Sequence, residues 1–301
     1  MTSLSDRIEN LLFWLTISSD EILAETHPLQ GDTPFLSALG GGSVLDASKA
    51  IAMMSTNEGD LWDYVHAGSG KRRSMKSDPL PVICITTTAG TGSEVDPWGV
   101  ITNEETNEKI GVGGDSSLYP VIAIVDPELM TTVPAKFTAY QGFDALLQVI
   151  ETYIARFANP MSDVYSLKAI ENAGEFLVRA VKDGNDLEAR ERMAFANILS
   201  GVAMTISSTT AEHSLEHAMS AYHPDLPHGA GLIMISKAFF EFFIEKHACD
   251  GRFIRMAQAL GMKNASKPEE FITVLTKLQQ ECGVVELKMS DYGIAPDEFE
   301  T

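Results

Sequence analysis

The sequence predicts a two-domain protein in which an α/β domain is followed by an all-α domain. Short apolar runs of strand length alternate with helical periodicity in the first part of the chain. After Pro134 the pattern is helical throughout, with Pro, Gly or Asn at most junctions. The 301 residues are enough to bury a substantial core. We place the α/β domain at residues 1–134 and the helical domain at residues 135–301.

The elements of the first domain begin with a buried strand at 35–39, which runs through Gly40-Gly41-Gly42 into a helix from Ser43 to Met54. Four further strands are predicted, at 81–88, 98–102, 109–112 and 121–125. Residues 1–34 show no clear strand–helix alternation and are atypical for this domain. Seven helices are predicted in the second domain, at 137–156, 161–182, 186–206, 209–221, 229–247, 251–261 and 268–282.

The composition restricts the partners and the compartment. A formal net charge of −20 argues against a nucleic-acid partner, because phosphate binding needs concentrated Lys and Arg. Three widely spaced cysteines without a Cys-x-x-Cys pair indicate neither a disulfide framework nor a thiolate metal site. The longest apolar run, at 11–17, is too short to span a bilayer, and its acidic flanks argue against a signal peptide. We expect a soluble, cytoplasmic protein without a membrane partner.

Four of the seven histidines lie between His213 and His228. His213 and His217 are four residues apart in a predicted helix, so their imidazoles project from one face. Neutral imidazole binds Fe, Zn, Cu and Ni, and His228, after a proline-bounded loop, could approach the same ion from another direction. The spacing predicts a metal or catalytic site, with a chance cluster of surface histidines as the alternative. His223 is either a proton relay or an exposed loop residue.

The glycine loop is a second candidate site. We expect Ser43 to cap the following helix, with Asp46 completing a capping box. A strand that leads through glycines into a helix N-terminus leaves backbone N–H groups free for a pyrophosphate. The alternative is a tight turn, since the loop lacks the Gly-x-Gly-x-x-Gly spacing. A second loop at 89–94 follows another predicted strand and adds hydroxyl donors, which makes a nucleotide site credible.

One acidic residue stands out at the start of the second domain. Asp144 lies on a largely apolar helix, with Glu151 seven residues later on the same face. An acid in such a face indicates a ligand. An ordinary solvated helix face is the alternative that the spacing leaves open.

These motifs together resemble the iron-containing alcohol dehydrogenase family, and most closely its butanol dehydrogenase-like branch. The motifs are Gly40 to Ser43 with Asp46 and Lys49, the segment 87–94, the segment 142–146, and His213 to His228. The resemblance runs from about Phe35 to the C-terminus. It implies a dinucleotide-binding domain, a helical domain and a divalent metal in the cleft between them. The implied reaction is hydride transfer between a primary alcohol or aldehyde and NAD or NADP, with Fe²⁺ or Zn²⁺ as the metal.

The resemblance also assigns residues by motif. Metal ligands are matched by Asp144, His213 and His228, and the histidine near the substrate is matched by His217. Pyrophosphate contacts are matched by Gly41, Gly42 and Ser43, further cofactor contacts by Thr87, Thr88 and Thr91, and a lysine near the ribose by Lys109. Where the family has a second metal-binding histidine, this chain has Gln148, whose amide oxygen is a weaker donor.

The departures keep two other functions open. A non-catalytic, degenerate family member would show the same departures, namely Gln148, the atypical residues 1–34 and a chain that looks shortened at both ends. A lyase of the related dehydroquinate synthase-like fold would likewise need a nucleotide and a metal. The identity of the alcohol, the choice between NAD and NADP, and the oligomeric state stay open, with a homo-oligomer as one option.

Overall fold

The protein is described here from a computed structural model that defines the backbone of residues 23–28 and 34–300. The chain forms two compact units. One comprises the chain up to Thr88 together with Ser93–Asp126, and the other comprises Ala89–Gly92 and the chain from Pro127 onwards. The first unit is α/β and the second is helical, so the predicted fold class is confirmed.

The first unit is built on a four-stranded sheet. Within its described residues, this unit has the strands β1 (Leu23–Pro28), β2 (Pro34–Gly40), β3 (Val82–Thr86), β4 (Trp98–Asn103), β5 (Glu108–Gly113) and β6 (Ile122–Val125). The sheet has the order β1-β2-β3-β6, in which β1 is antiparallel to β2 and the other neighbours are parallel. Strands β4 and β5 form a separate antiparallel hairpin. Because β2 and β3 are parallel neighbours, their carboxyl ends lie side by side.

One helix of this unit, α1 (Gly42–Thr56), packs on the sheet. In β3 the side chains of Val82, Cys84 and Thr86 are buried while the residues between them are partly exposed. Strand β2 shows the same period-two pattern, with Leu36 and Ala38 buried. This alternation directs one face of the sheet towards α1, as expected for a strand in which successive side chains point to opposite faces.

The predicted capping box at Ser43 and Asp46 is wrong. The N-cap is Gly41, whose carbonyl oxygen accepts from the amides of Val44 and Leu45 at 3.0 and 3.1 Å. Ser43 therefore lies within the first turn, where its side chain does not act as the cap. Asp46 is buried and instead accepts hydrogen bonds from Ser93 Oγ at 2.5 Å and from the Val100 amide at 2.8 Å.

Part of the atypical segment 1–34 belongs to the sheet of the first unit. Residues 23–28 form β1, which pairs with β2 from Leu23 opposite Leu39 to Pro28 opposite Pro34. Glu25 and Pro28 are unfavourable in strands, so the local sequence of β1 does not predict a strand. The strand forms because the edge of β2 offers it backbone hydrogen-bonding groups. The expectation for residues 1–22 and 29–33 lies outside the described residues.

Seven α-helices build the described part of the second unit, and each matches a predicted helix. They are α2 (Ala135–Ile154), α3 (Pro160–Lys182), α4 (Leu187–Ile206), α5 (Glu212–Tyr222), α6 (His228–Glu245), α7 (Asp250–Ala259) and α8 (Glu269–Glu281). Local signals fix several ends: Asn159 accepts from the amides of Met161 and Ser162, and Pro160 occupies the first helical position. Asp186 caps α4 through the Ala189 amide.

Helix α2 is the central helix of this unit and packs against α3, α4 and α6. Fifteen of its 20 residues are buried. At Gly142 an added Cβ would lie 2.2 Å from Leu177 Cδ1, so the close approach of α2 and α3 requires glycine there. Among the residues that the structure describes, no helix has the length and apolarity needed to cross a bilayer.

Candidate metal centre and cofactor-binding loop

The candidate metal centre begins on α2, where three polar side chains face the interior. Asp144, Gln148 and Glu151 are 5 %, 4 % and 0 % exposed. Positions 144, 148 and 151 follow the spacing of one helical face. The alternative of a solvated helix face is therefore wrong, and this polar stripe must find its partners inside the protein.

Two imidazoles meet the carboxylate of Asp144. Nε2 of His213, in the first turn of α5, lies 3.5 Å from Asp144 Oδ1. Nε2 of His228, the first residue of α6, lies 3.6 Å from the same oxygen. One ligand atom from each of the three residues falls within 4.8 Å of the others. The structure thus brings together two imidazole nitrogens and a carboxylate from three different helices.

The other ring nitrogen of each histidine contacts a buried glutamate. Nδ1 of His213 contacts Oε2 of Glu151, and Nδ1 of His228 contacts Oε2 of Glu216. Both glutamates are 0 % exposed. Each imidazole is therefore held between a buried glutamate on its Nδ1 side and Asp144 on its Nε2 side.

The electrostatic surroundings favour positive charge at this point. Burial opposes the protonation of His213, but Glu151 and Asp144 outweigh burial and raise its pKa well above the usual value. Burial likewise opposes the ionisation of Glu151, yet His213 and the hydrogen bonds from Thr210 and Glu212 lower its pKa. In contrast, burial and the neighbouring Glu151 raise the pKa of Glu212.

The donor atoms of this cluster fit a divalent cation. Nε2 of His213 is buried and makes no hydrogen bond with the described residues, although buried polar atoms are nearly always paired. The amide nitrogen of Gln148 is also buried without a hydrogen-bond partner in the described chain. A rotation of the amide exchanges its oxygen and nitrogen, so Gln148 can present an oxygen donor from the same helix face as Asp144. Asp144, His213, His228 and Gln148 could hold a metal ion.

The other two histidines of the cluster have separate environments. The ring of His217 lies 5.2 Å from that of His228 and 6.4 Å from that of His213, between ring centroids. Its side chain is partly exposed, so it stands where the cluster meets solvent. His223 caps the end of α5, and its Nε2 lies 2.7 Å from Glu298 Oε2.

The glycine loop of the first unit lies beside the end of β3. An added Cβ at Gly41 would stand 3.0 Å from Thr88 Cγ2, and the Thr87 amide donates to the Gly40 carbonyl at 3.0 Å. Gly42 and Ser43 are the first residues of α1, where backbone N–H groups have no intrahelical acceptor. Lys109 lies on β5, opposite Thr102. The structure thus brings the predicted pyrophosphate loop next to Thr87 and Thr88.

The loop 89–92, which contains Thr91, belongs to the second unit. The Gly92 amide donates to Asn197 Oδ1 at 2.8 Å, and an added Cβ there would lie 2.7 Å from the Gly201 backbone. An added Cβ at Gly90 would stand 3.2 Å from Asp144 Oδ2. The glycines thus let this loop approach α4 and the candidate metal centre.

Two of the motif residues, Lys49 and Asp46, form buried hydrogen bonds within the first unit. Lys49 Nζ donates to Ser93 Oγ at 2.8 Å, to Asp96 Oδ1 at 3.0 Å and to the Trp98 carbonyl at 2.6 Å. Ser93 in turn donates to Asp46. Burial, partly offset by Lys49, raises the pKa of Asp96 to about 6. Lys49 and Asp46 therefore join α1 to the segment that leads into the β4–β5 hairpin.

Sequence reasoning missed Glu216 completely and left the role of Glu151 open. The available signal was helical spacing, since Glu216 lies three residues after His213. Spacing could place Glu216 near the cluster, but it could not select His228 as the partner. That contact depends on how α5 and α6 meet.

The sequence matches two profiles of known families. Residues 24–127 match the iron-containing alcohol dehydrogenase family, and residues 138–301 match the C-terminal domain of the Fe-containing alcohol dehydrogenase family. The two matches together include the glycine loop, the hydroxyl-bearing loops and the histidine cluster.

Individual relatives agree with these profiles. The chain is 36 % identical over 274 residues to the choline dehydrogenase of Bacillus subtilis, covering 88 % of this chain and 65 % of that protein. It is 34 % identical to the NAD-dependent methanol dehydrogenase of Bacillus methanolicus, covering 83 % and 64 % of the two chains.

Among solved structures, an archaeal halo-thermophilic alcohol dehydrogenase from a Red Sea brine pool superposes with a TM-score of 0.82 at 35 % identity. The match covers 87 % of this chain and 68 % of that one. The chain thus spans about 65 % of the length of the curated relatives that it matches. On these matches, the chain belongs to the iron-containing alcohol dehydrogenase family.

Proposed function

We propose that this chain is a metal-dependent alcohol dehydrogenase that transfers hydride between a primary alcohol or aldehyde and NAD or NADP. The observation that carries the proposal is the convergence of His213 Nε2 and His228 Nε2 on Oδ1 of the buried Asp144. Buried charges and imidazoles are costly unless they are paired or bind a metal. Family membership supports the same conclusion.

In this proposal Asp144, His213, His228 and Gln148 hold Fe²⁺ or Zn²⁺. When bound, the metal would supply Lewis-acid polarisation of the substrate oxygen, and the nicotinamide of the cofactor would accept or donate hydride. Glu151 and Glu216 hold the two ligand histidines by their Nδ1 atoms. His217, at the exposed side of the cluster, carries a proton between the substrate oxygen and solvent through its imidazole nitrogens.

The first unit would bind the cofactor. The amides of Gly41, Gly42 and Ser43 at the start of α1 are suited to a pyrophosphate, because a helix N-terminus combines free N–H groups with a favourable dipole. Thr87 and Thr88 add hydroxyl groups, and Lys109 adds a positive charge for the ribose or its phosphate. A small alcohol or aldehyde is the substrate class that this assignment requires.

A second candidate is a family member that binds metal without turnover. It is favoured by Gln148, because an amide oxygen holds a transition metal less tightly than an imidazole does. Both candidates predict metal binding, and only the first predicts reduction of a nicotinamide cofactor.

The test combines metal analysis of protein purified without chelator, titration with NAD and NADP, and alcohol-dependent reduction of each cofactor. Near-stoichiometric iron or zinc with turnover is the expected result. Turnover should be lost in Asp144→Ala and kept in Asp225→Ala, an exposed acid that lies outside the cluster. Metal without turnover would establish the second candidate, and the absence of both metal and cofactor binding would overturn the proposal.

A further inference from the structure

We infer that Glu151 and Glu216 are positioning residues that fix the tautomers of His213 and His228 and aim both Nε2 atoms at Asp144. This inference rests on the proposed metal-binding function. A neutral imidazole carries one N–H, and an ionised carboxylate can only accept a hydrogen bond. A carboxylate at Nδ1 therefore places the proton there and leaves the Nε2 lone pair free for a cation.

Glu151 is anchored by backbone amides as well as by the imidazole that it contacts. Its carboxylate accepts from the backbone amides of Thr210 and Glu212 at 2.9 Å each and from that of His213 at 3.2 Å. These are N–H groups at and before the start of α5, where intrahelical acceptors are missing. One carboxylate on α2 thus fixes both the beginning of α5 and the ring of His213. Because Asp144 lies on the same rigid helix, this anchor also sets the distance between the two ligands.

Glu216 transmits the same constraint from α5 to α6. It lies one turn after His213 and contacts Nδ1 of His228, the first residue of α6. At Gly231 an added Cβ would stand 2.7 Å from Glu216 Cγ, so α6 passes directly over this side chain. Only glycine at position 231 leaves room for the Glu216 side chain, which is 0 % exposed. The ligands are therefore positioned in series, from α2 to α5 through Glu151 and from α5 to α6 through Glu216.

Because the two contacts act in series, we expect removal of Glu151 to disturb more of the centre than removal of Glu216. Removal of Glu216 should release only His228, whereas removal of Glu151 should also disturb His213 and the start of α5. Glu216 is therefore the better residue to test, because its loss leaves the anchored end of α5 in place.

The experiment compares Glu216→Ala, Glu216→Gln and the unchanged chain. The tautomer of His228 is read by ¹⁵N–¹H correlation NMR of the metal-free proteins, and Co²⁺ affinity is read by competition with a chromophoric chelator. In Glu216→Ala we expect His228 to lose its fixed Nδ1–H tautomer and Co²⁺ affinity to fall about 10- to 100-fold. Glu216→Gln should retain the tautomer, because the amide oxygen still accepts, and lose less affinity.

Glu241→Ala is the matched control, since Glu241 lies on the exposed face of α6 and pairs only loosely with Lys237 at 3.8 Å. It should change neither reading. An unchanged His228 tautomer in Glu216→Ala would overturn the inference, whatever the metal affinity. A fixed tautomer in an unchanged chain that binds no Co²⁺ would support the positioning roles and overturn the proposed metal function instead.

Discussion

The ammonium group of Lys49 lies 3.0 Å from Oδ1 of Asp96, and both side chains are 3 % exposed. The same nitrogen also donates to Ser93 Oγ and to the Trp98 carbonyl, so all three of its protons have acceptors. A buried charge is tolerated only when it is fully paired. This ion pair therefore makes the packing of α1 against the segment 93–98 dependent on one lysine.

Replacing Lys49 with Met should strongly destabilise the first unit. The variant leaves the buried carboxylates of Asp46 and Asp96 without their cation, and breaking a buried pair in this way costs about 3–5 kcal/mol. Urea unfolding followed by tryptophan fluorescence measures the change, since Trp14, Trp62 and Trp98 all precede the second domain in the sequence. Lys71→Met is the control, because its side chain is 70 % exposed and solvent screens its ion pair with Asp63, so its loss should shift the unfolding midpoint little. Equal midpoints for the two variants would contradict this account.

The stability of the first unit should depend on the ionisation of Asp96. Burial raises the pKa of Asp96 from 3.8 to about 6, so the folded protein binds this proton more tightly than the unfolded chain. The contribution of this bound proton to the free energy of unfolding is complete below about pH 4. It is lost as the pH rises through about 6, and the free energy of unfolding then falls by an amount on the order of 3 kcal/mol.

Asp96→Asn removes this titration. The difference in unfolding free energy between the unchanged chain and the variant should therefore shrink between about pH 4 and pH 7. Parallel urea titrations across this range measure it. A difference that stays constant with pH would refute the assignment of this titration to Asp96.

The three cysteines should be inert in the folded protein. Burial raises the pKa of Cys84 and of Cys282 to about 12, and that of Cys249 to about 11. At about pH 8 a thiol of pKa 12 is ionised to about one part in ten thousand, compared with about a tenth for an exposed thiol of pKa 9. An aromatic disulfide reagent should release no colour within minutes from the native protein and three equivalents after unfolding in guanidinium. Rapid reaction of the native protein would contradict the burial of these thiols.

Gln148→His should increase the metal affinity of the candidate centre. It returns an imidazole to the α2 face that carries Asp144, one turn away, while His213 and His228 keep their places. Metal content after dialysis and Co²⁺ affinity are the measurements. Gln280→His, which adds an imidazole to an exposed position on α8, should not change either quantity. No gain in affinity for Gln148→His would remove position 148 from the ligand set.

Local sequence patterns by themselves determined much of this protein's secondary structure. The spacing of apolar residues located all seven helices of the second unit, and Pro, Asn and Asp marked several of their ends. The chemistry of imidazole and the four-residue spacing of His213 and His217 indicated a metal or catalytic cluster. These features are readable because helix periodicity, capping and side-chain chemistry depend on residues close together in the chain.

Tertiary structure alone decided which residues complete each site. Glu151 and His213 are 62 positions apart, and Lys49 and Asp96 are 47 positions apart. Asp46, which a local pattern assigned to a capping box, instead bonds Ser93 because a buried carboxylate must satisfy its oxygens wherever donors exist. Such pairings are fixed by the way helices and loops pack against one another, and hydrophobic periodicity does not record which distant polar groups will meet.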